Sequence, residues 1–177
     1  MGELGDVTFE EIQYEGYAAG GVALLIDCLT DNRNRSASEV RTTLDRNNGN
    51  LASSGSVAYM FKRQSHFVIE GENADEDKLM DIVLDAGAED LIVEDGVAEI
   101  WGEPAAFEAI ANALEAAGIT ASEAAVTRRP DNTVTITDVH TAEQVLKLVD
   151  KLEDLDDVQE VTGNFEIDDS IADQVNV

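Results

Sequence analysis

The apolar positions of this chain follow two rhythms, and the switches between them mark its elements. Residues 7–17, VTFEEIQYEGY, set Val7, Phe9, Ile12 and Tyr14 among polar neighbours, which predicts an extended strand with a bulge. Gly20-Gly21 interrupts the pattern, and the apolar run Val22-Ala23-Leu24-Leu25-Ile26 opens a second strand predicted over Val22 to Leu29, so the two form a hairpin. Ser36-Ala37-Ser38-Glu39 has the spacing of a capping box. It predicts a helix from Ser36 to about Asn47, with Val40 and Leu44 on one face and Asn48-Gly49 as its left-handed stop. Residues 56–62 place Val57, Tyr59 and Phe61 on one side of a further strand.

The next stretch repeats one rhythm change twice. A strand at 66–71 precedes a helix over 75–86, with Leu79, Ile82, Val83 and Ala86 at helical spacing and Gly87 beyond. Residues 91–101 read as a hairpin about Asp95-Gly96. Pro104 suits the first turn of a helix that points Phe107, Ile110, Ala111 and Leu114 inward and ends at Gly118, and 122–128 form a strand. The helix ends LDAGA (84–88) and LEAAGI (114–119) make a weak internal repeat. The order is βαββαβ, the ferredoxin-like pattern.

After a break at Arg129-Pro130-Asp131-Asn132 come a short strand at 133–136 and a second capping box, Thr141-Ala142-Glu143-Gln144. The helix it opens turns Val145, Leu148, Val149, Leu152 and Leu155 inward. A single strand over 158–167 and a fraying acidic tail complete the chain. The strands and helix before residue 64 lack partners for a closed core, and the last helix and strand have no place in the βαββαβ unit. The predicted fold class is therefore α+β, with two domains of ferredoxin-like type and antiparallel sheets, one inserted in the other. Residues 1–64 plus 131–177 form a discontinuous domain and 65–130 the inserted one.

Composition adds limits. The 177 residues are 44% hydrophobic and 28% charged, as in a folded globular chain. No apolar run approaches the ~20 residues that span a bilayer. Met1 to Asp6 carry neither a basic n-region nor an apolar h-region, and Asp6 stands where a myristoylation signal has Ser or Thr, so a cytoplasmic protein without a membrane anchor is expected. Cys28 is the sole cysteine, which excludes an internal disulfide, and its place in an apolar run predicts a buried core thiol rather than a nucleophile.

Charge changes the picture more. The formal net charge is −27, yet between Thr30 and Arg63 six cations (Arg33, Arg35, Arg41, Arg46, Lys62, Arg63) face three acids, a balance of +3 that leaves −30 on the remainder. One reading is local pairing on a solvated face; the other is a focused cationic patch. Arg33 and Arg35 are expected just ahead of the helix start at Ser36, where the helix dipole and free N–H groups favour an anion. Their guanidinium forks suit phosphate. Asn32, Asn34, Asn47, Asn48 and Asn50 add uncharged donors and acceptors for sugar or base edges, and Tyr14 and Tyr17 are candidates for stacking. The alternative pairs Arg33 and Arg35 with Asp31, Glu39 or the acidic second domain. The candidate nucleic-acid site is thus Asn32, Arg33, Asn34, Arg35, Arg41, Arg46, Asn50, Lys62 and Arg63. No phosphate loop, G-x-S-x-G, H-E-x-x-H or zinc spacing is present, His66 and His140 stand alone, and the acidic pairs are those expected among 38 acidic residues. No enzyme activity, cofactor or metal is expected.

Several stretches then identify a resemblance. YEGYAAGGVALLIDCLTDNRNRSASEVR, NNGNLASSGSVAYMF and LEDLDDVQEV with NFEI closely resemble the YebC/PmpR family, from about Gly2 to Ile167, with Thr30–Arg35 and Gly49–Val57 the most specific parts. Its mitochondrial relatives include the translational activator of cytochrome c oxidase. The resemblance implies a basic helical N-terminal domain followed by two α+β domains, and a non-enzymatic regulator of gene expression. DNA-binding transcriptional regulation is the first function implied, and a ribosome-associated role in translation the alternative; the acidic stretches at 70–77 and 89–99 offer, apart from the resemblance, an acidic protein-interaction module that docks on a basic partner. Its partners are then DNA or ribosomal RNA, with the ribosome as a further partner and the chain a monomer. Gly2-Glu3-Leu4 resembles the segment that follows the helical domain, so that domain is expected to be absent here. Ala18-Ala19 stands where the family has a proline before Gly-Gly, which predicts a less rigid loop.

Overall fold

The computed structural model describes residues 7–175. They form, in order, β1 (Glu10–Tyr17), β2 (Ala23–Thr30), α1 (Arg33–Arg46), β3 (Asn50–Ala52), β4 (Phe61–Glu70), α2 (Glu76–Val83), β5 (Ala88–Glu94) and β6 (Val97–Gly102). There follow α3 (Phe107–Ala116), β7 (Glu123–Pro130), β8 (Val134–Ile136), α4 (Val139–Glu153), β9 (Val158–Gly163), β10 (Phe165–Ile167) and α5 (Asp169–Ala172). The chain divides into two compact units: Lys62–Arg129 is one, and the segments before and after it form the other. The segment Gly2-Glu3-Leu4 and the last two residues of the acidic tail lie outside the described residues.

The discontinuous unit is built on a sheet of order β3-β1-β2-β9 with every neighbour antiparallel. The predicted hairpin forms, with Glu10 opposite Thr30 and Tyr17 opposite Ala23. Its loop needs left-handed backbone at Gly20 (φ 76°) and Gly21 (φ 77°), which glycine adopts without a Cβ clash. The first half of β2, from Ala23 to Ile26, is an unbroken apolar run because both of its faces are covered there. Leu24, Ile26 and Cys28 pack with Val40 and Leu44 of α1 and with Ala142, Val145, Leu148 and Leu152 of α4. Ala23 and Leu25 point the other way, onto Val57 and Phe61. Burying each such Leu or Ile contributes about 1.5–3 kcal/mol. The chain leaves α1 as expected: Asn48 takes the left-handed conformation (φ 63°). Gly49 follows so close to β1 that a Cβ would lie 2.6 Å from the Tyr17 carbonyl oxygen.

The inserted unit has chain order βαββαβ and sheet order β5-β6-β4-β7. Leu79 and Val83 of α2 and Ile110 and Leu114 of α3 pack on Phe67, Ile69, Ala98 and Ile100, so both helices cover the same face of the sheet. The β5–β6 turn carries Asp95 at φ 50° and Gly96 at φ 76°, the paired left-handed residues of a tight hairpin. The whole is mixed α+β, with two antiparallel sheets and a two-stranded parallel pair, β8 with β10.

Five sequence expectations are corrected. Helix α1 starts at Arg33, capped by Asn32 rather than Ser36: the Asn32 side chain accepts from the Arg35 N–H at 3.1 Å. Ser36 is instead buried inside the helix and donates its hydroxyl away from the backbone, to Asp157 at 2.6 Å. Likewise α4 is capped by Asp138, which accepts from both the N–H and the hydroxyl of Thr141, so Thr141 is the capped residue and not the cap. Residues 56–62 are not a strand throughout. The Glu15 carboxylate on β1 collects the N–H groups of Gly55 (2.5 Å), Val57 (2.8 Å) and Ala58 (2.7 Å) and bends the chain into a 3-10 turn at Ala58–Met60. Residues 158–167 are two strands in different sheets, broken at Asn164, whose side chain accepts from Ala23 N–H at 2.8 Å while its carbonyl accepts from Val134 N–H at 2.7 Å. The tail turns into the short α5, which buries Ile171.

Candidate nucleic-acid interface

The N-terminal end of α1 is organised around a carboxylate from the turn before β9. Arg35 donates to Asp157 twice, from Nε at 3.1 Å and Nη2 at 2.9 Å, and from Nη2 to Asp31 at 2.7 Å. Ser36 Oγ donates to the same Asp157 carboxylate, and Thr30 Oγ1 lies 3.2 Å from it. Asp157 is 7% exposed. The Arg35 fork, with the Ser36 hydroxyl, holds its carboxyl below the usual carboxylate range against the opposing effect of burial. The same bonds hold the Arg35 guanidinium above its ordinary value. Arg33 donates from Nε to Glu10 at 3.0 Å. Both arginines therefore lie within the first turn of α1, not ahead of it, and both are engaged by carboxylates of their own unit. Local pairing is what holds for these two, and the partners are Glu10, Asp31 and Asp157. Glu39 makes no ion pair with them.

The other cations differ. Arg41 and Arg46 lie exposed on α1 and form no ion pair among the described residues. Arg46 sits in the last turn, where the helix dipole favours a cation. Asn34 is exposed in the first turn and Asn50 is exposed on β3, opposite Tyr17. The helix separates the Asn32–Arg35 group from Arg46 by about 17–20 Å at ~1.5 Å per residue. Lys62 and Arg63 belong to the inserted unit, where with Gln64, Glu89, Glu103 and Pro104 they line an open cleft of both charge signs. The chain reaches them from Val57 and Phe61, which pack on the side of β2 away from α1. The sequence-contiguous cations thus do not form one patch on the first unit. Tyr14 packs against the core with its hydroxyl 3.4 Å from the Arg33 carbonyl, and Tyr17 is part of the Val57–Phe61 cluster, whereas Tyr59 is 72% exposed.

Sequence reasoning did not find Asp157 or Glu15. Asp157 stands in an acidic pair like several others, and its partners lie more than 120 residues away. Glu15 is a charged residue in a strand whose loop partner begins 40 residues later. Among the described residues no group of three or more His, Cys, Asp or Glu is placed to hold a metal. Burial, with Asp157 and Asp27 nearby, pushes the Cys28 thiol up to about 11, so at neutral pH it is a protonated core group. His66 Nε2 lies 3.0 Å from Glu99, and its ring stacks on Trp101. No described helix is long and apolar enough to cross a membrane.

Comparison with known proteins places this architecture. A family model described as the second and third domain of TACO1/YebC matches residues 9–165. A "probable transcriptional regulatory protein" of Halothermothrix orenii is 47% identical over 176 residues, 98% of this chain and 70% of that protein. Proteins of the same description from Acidothermus cellulolyticus (48% over 173 residues, 98% and 69%) and Clostridium novyi (51% over 166 residues, 93% and 67%) are similar to it as well. The crystal structure of a conserved hypothetical protein from Aquifex aeolicus is 41% identical, with a TM-score of 0.80, over 93% of this chain and 68% of that one.

Proposed function

The chain belongs to the TACO1/YebC family, and from that premise we propose that it is a non-enzymatic, cytoplasmic regulator of gene expression that binds nucleic acid through the outward side of α1. The observation that carries this is the pair Arg41 and Arg46, exposed and without a carboxylate partner among the described residues in a chain of net charge −27. Two cations kept free on a surface otherwise rich in acid suit phosphates along one helix. Asn34 and Asn50, exposed at the two ends of that helix, add donors and acceptors for sugar and base edges. Arg33 and Arg35 act in this reading by fixing the helix to β1 and to the turn before β9. Lys62 and Arg63 belong to the inserted unit and form no part of the α1 surface in this reading. The names of the relatives support regulation, and transcriptional control through DNA is the first form of it.

The test is a titration of duplex DNA, beside co-sedimentation with ribosomes, at graded salt. Two phosphate contacts predict a log–log salt slope near −1.8 on duplex DNA, and about 0.9 of it should vanish with each of Arg41→Ala and Arg46→Ala. An unchanged affinity and slope in the double variant would remove α1 as the binding element. Salt-dependent loss confined to ribosomes would assign the surface to ribosomal RNA.

A further inference from the structure

The inserted unit carries an assembly that the nucleic-acid reading does not use. It lies on the face of the β5-β6-β4-β7 sheet opposite α2 and α3, and all four strands contribute. Trp101 of β6 is buried, at 9% exposed, and its indole N–H has no hydrogen-bond acceptor among the described residues. His66 of β4, directly opposite it in register, stacks on the indole with ring centroids 3.9 Å apart and planes 16° apart. His66 Nε2 lies 3.0 Å from Glu99. Arg129, at the end of β7, places its guanidinium carbon 4.5 Å from the centre of the Trp101 ring and donates from Nη2 to Asp90 of β5 at 2.9 Å. Asp90 is itself opposite Trp101 in the β5–β6 register.

We propose that this face docks an arginine-bearing segment of a basic protein partner, whose guanidinium takes the place of Arg129 between the Trp101 ring and Asp90. The chain's own arginine supplies the template. An indole face with a carboxylate at its rim recognises a planar cation through the ring quadrupole and a charge-assisted hydrogen bond together. The rim carboxylates are reachable from solvent, with side chains 46% exposed at Asp90 and 40% at Glu99. Ile92, two residues from Asp90 on the same edge strand and 38% exposed, offers an apolar contact beside them. Asp90 and Glu99 at the rim attract a basic partner and repel phosphate at this face. That is why a stacked nucleobase fits less well here, although an aromatic pair alone would suit one. The inference goes beyond the α1 surface and stands or falls independently of it.

Trp101 is the only tryptophan, so its fluorescence reports on this site alone. The full chain is titrated at low salt with a synthetic arginine–glycine repeat peptide, with the lysine–glycine counterpart, and with single-stranded RNA. A saturable change in Trp101 emission is expected with the arginine peptide. It should be several-fold weaker with lysine, which lacks the planar fork. Asp90→Asn should weaken arginine-peptide binding about tenfold. Arg129→Lys, which lowers the competition while keeping charge, should strengthen it, and Arg41→Ala/Arg46→Ala should leave it unchanged. Thermal melts of each variant separate loss of binding from loss of fold. No saturable change with the arginine peptide, equal binding by Asp90→Asn in a folded variant, or a stronger response to RNA overturns the proposal.

Discussion

Asp157 joins two parts of the first unit that are far apart in the chain. Its carboxylate receives the Arg35 fork and the Ser36 hydroxyl, so its loss leaves a buried hydroxyl without its acceptor and an arginine without its main counter-ion. Asp157→Ala should cost about 3 kcal/mol of unfolding free energy, read from urea denaturation. Arg35→Ala should cost less, because water reaches its guanidinium. The pH dependence has a definite sign. The Asp157 carboxyl is held down in the fold, first by Arg35 and then by Ser36. At Glu15, burial raises the carboxyl, but the N–H groups of Gly55, Val57 and Ala58 together outweigh it and leave it lowered. Groups with lowered folded values stabilise the fold above their unfolded values, near 4, and lose that contribution as pH falls through the folded ones. Unfolding free energy should therefore be flat in these terms above about pH 5 and fall below about pH 4. Glu15→Gln/Asp157→Asn should be less stable at neutral pH and show a shallower acid limb. Neither carboxylate was legible in the sequence, because nothing within a few residues distinguishes them from the chain's many other acids.

At the scale of elements, information that lies within a few residues was readable and the rest was not. The β1–β2 hairpin and the Asp95-Gly96 turn are set by local glycine geometry and by runs of apolar residues, and both form as expected. The start of α1 was misplaced by three residues because two chains of local logic compete there. Ser36 and Glu39 have the spacing of a capping box, but Asn32 also satisfies the capping rule, and Asp157 claims the Ser36 hydroxyl. Asn32→Ala should cost about 1 kcal/mol by thermal denaturation, as for a capping residue. If Ser36 were the cap, Asn32→Ala would leave stability unchanged. The apolar alternation at Val57, Tyr59 and Phe61 failed for a related reason: Val57 and Phe61 are buried, but Tyr59 is 72% exposed on the turn that Glu15 imposes. Of the candidate site, the exposure of Arg41 and Arg46 follows from helical spacing against Val40 and Leu44. The pairing of Arg33 with Glu10 depends on where β1 lies, which spacing does not report.

For the molecule as a whole, the two units have separate cores. Phe67, Ile69, Ala98 and Ile100 belong to one, and Leu24, Ile26, Leu148 and Leu152 to the other. Removing a buried side chain should then act on one unit at a time. Ile100→Ala and Leu148→Ala should each cost about 2–5 kcal/mol, and hydrogen exchange should locate the loss of protection in Lys62–Arg129 for the first and outside it for the second. Loss of protection across both units in either variant would mean that they unfold as one.

Asn164 bonds Ala23 through its side chain and through its backbone N–H, 141 residues along the chain. At translation rates of about 5–20 residues per second, roughly 7–28 s separate the emergence of those two positions from the ribosome. For most of that interval β2 and α1 have neither β9 nor α4, and the apolar sides of Leu24, Ile26, Val40 and Leu44 are without their final cover. Lys62–Arg129 is completed earlier, since its strands and helices are contiguous in the chain. Biosynthesis therefore finishes the inserted unit before the unit that surrounds it, and the β1–β2 hairpin waits for its final cover until the last third of these residues arrives.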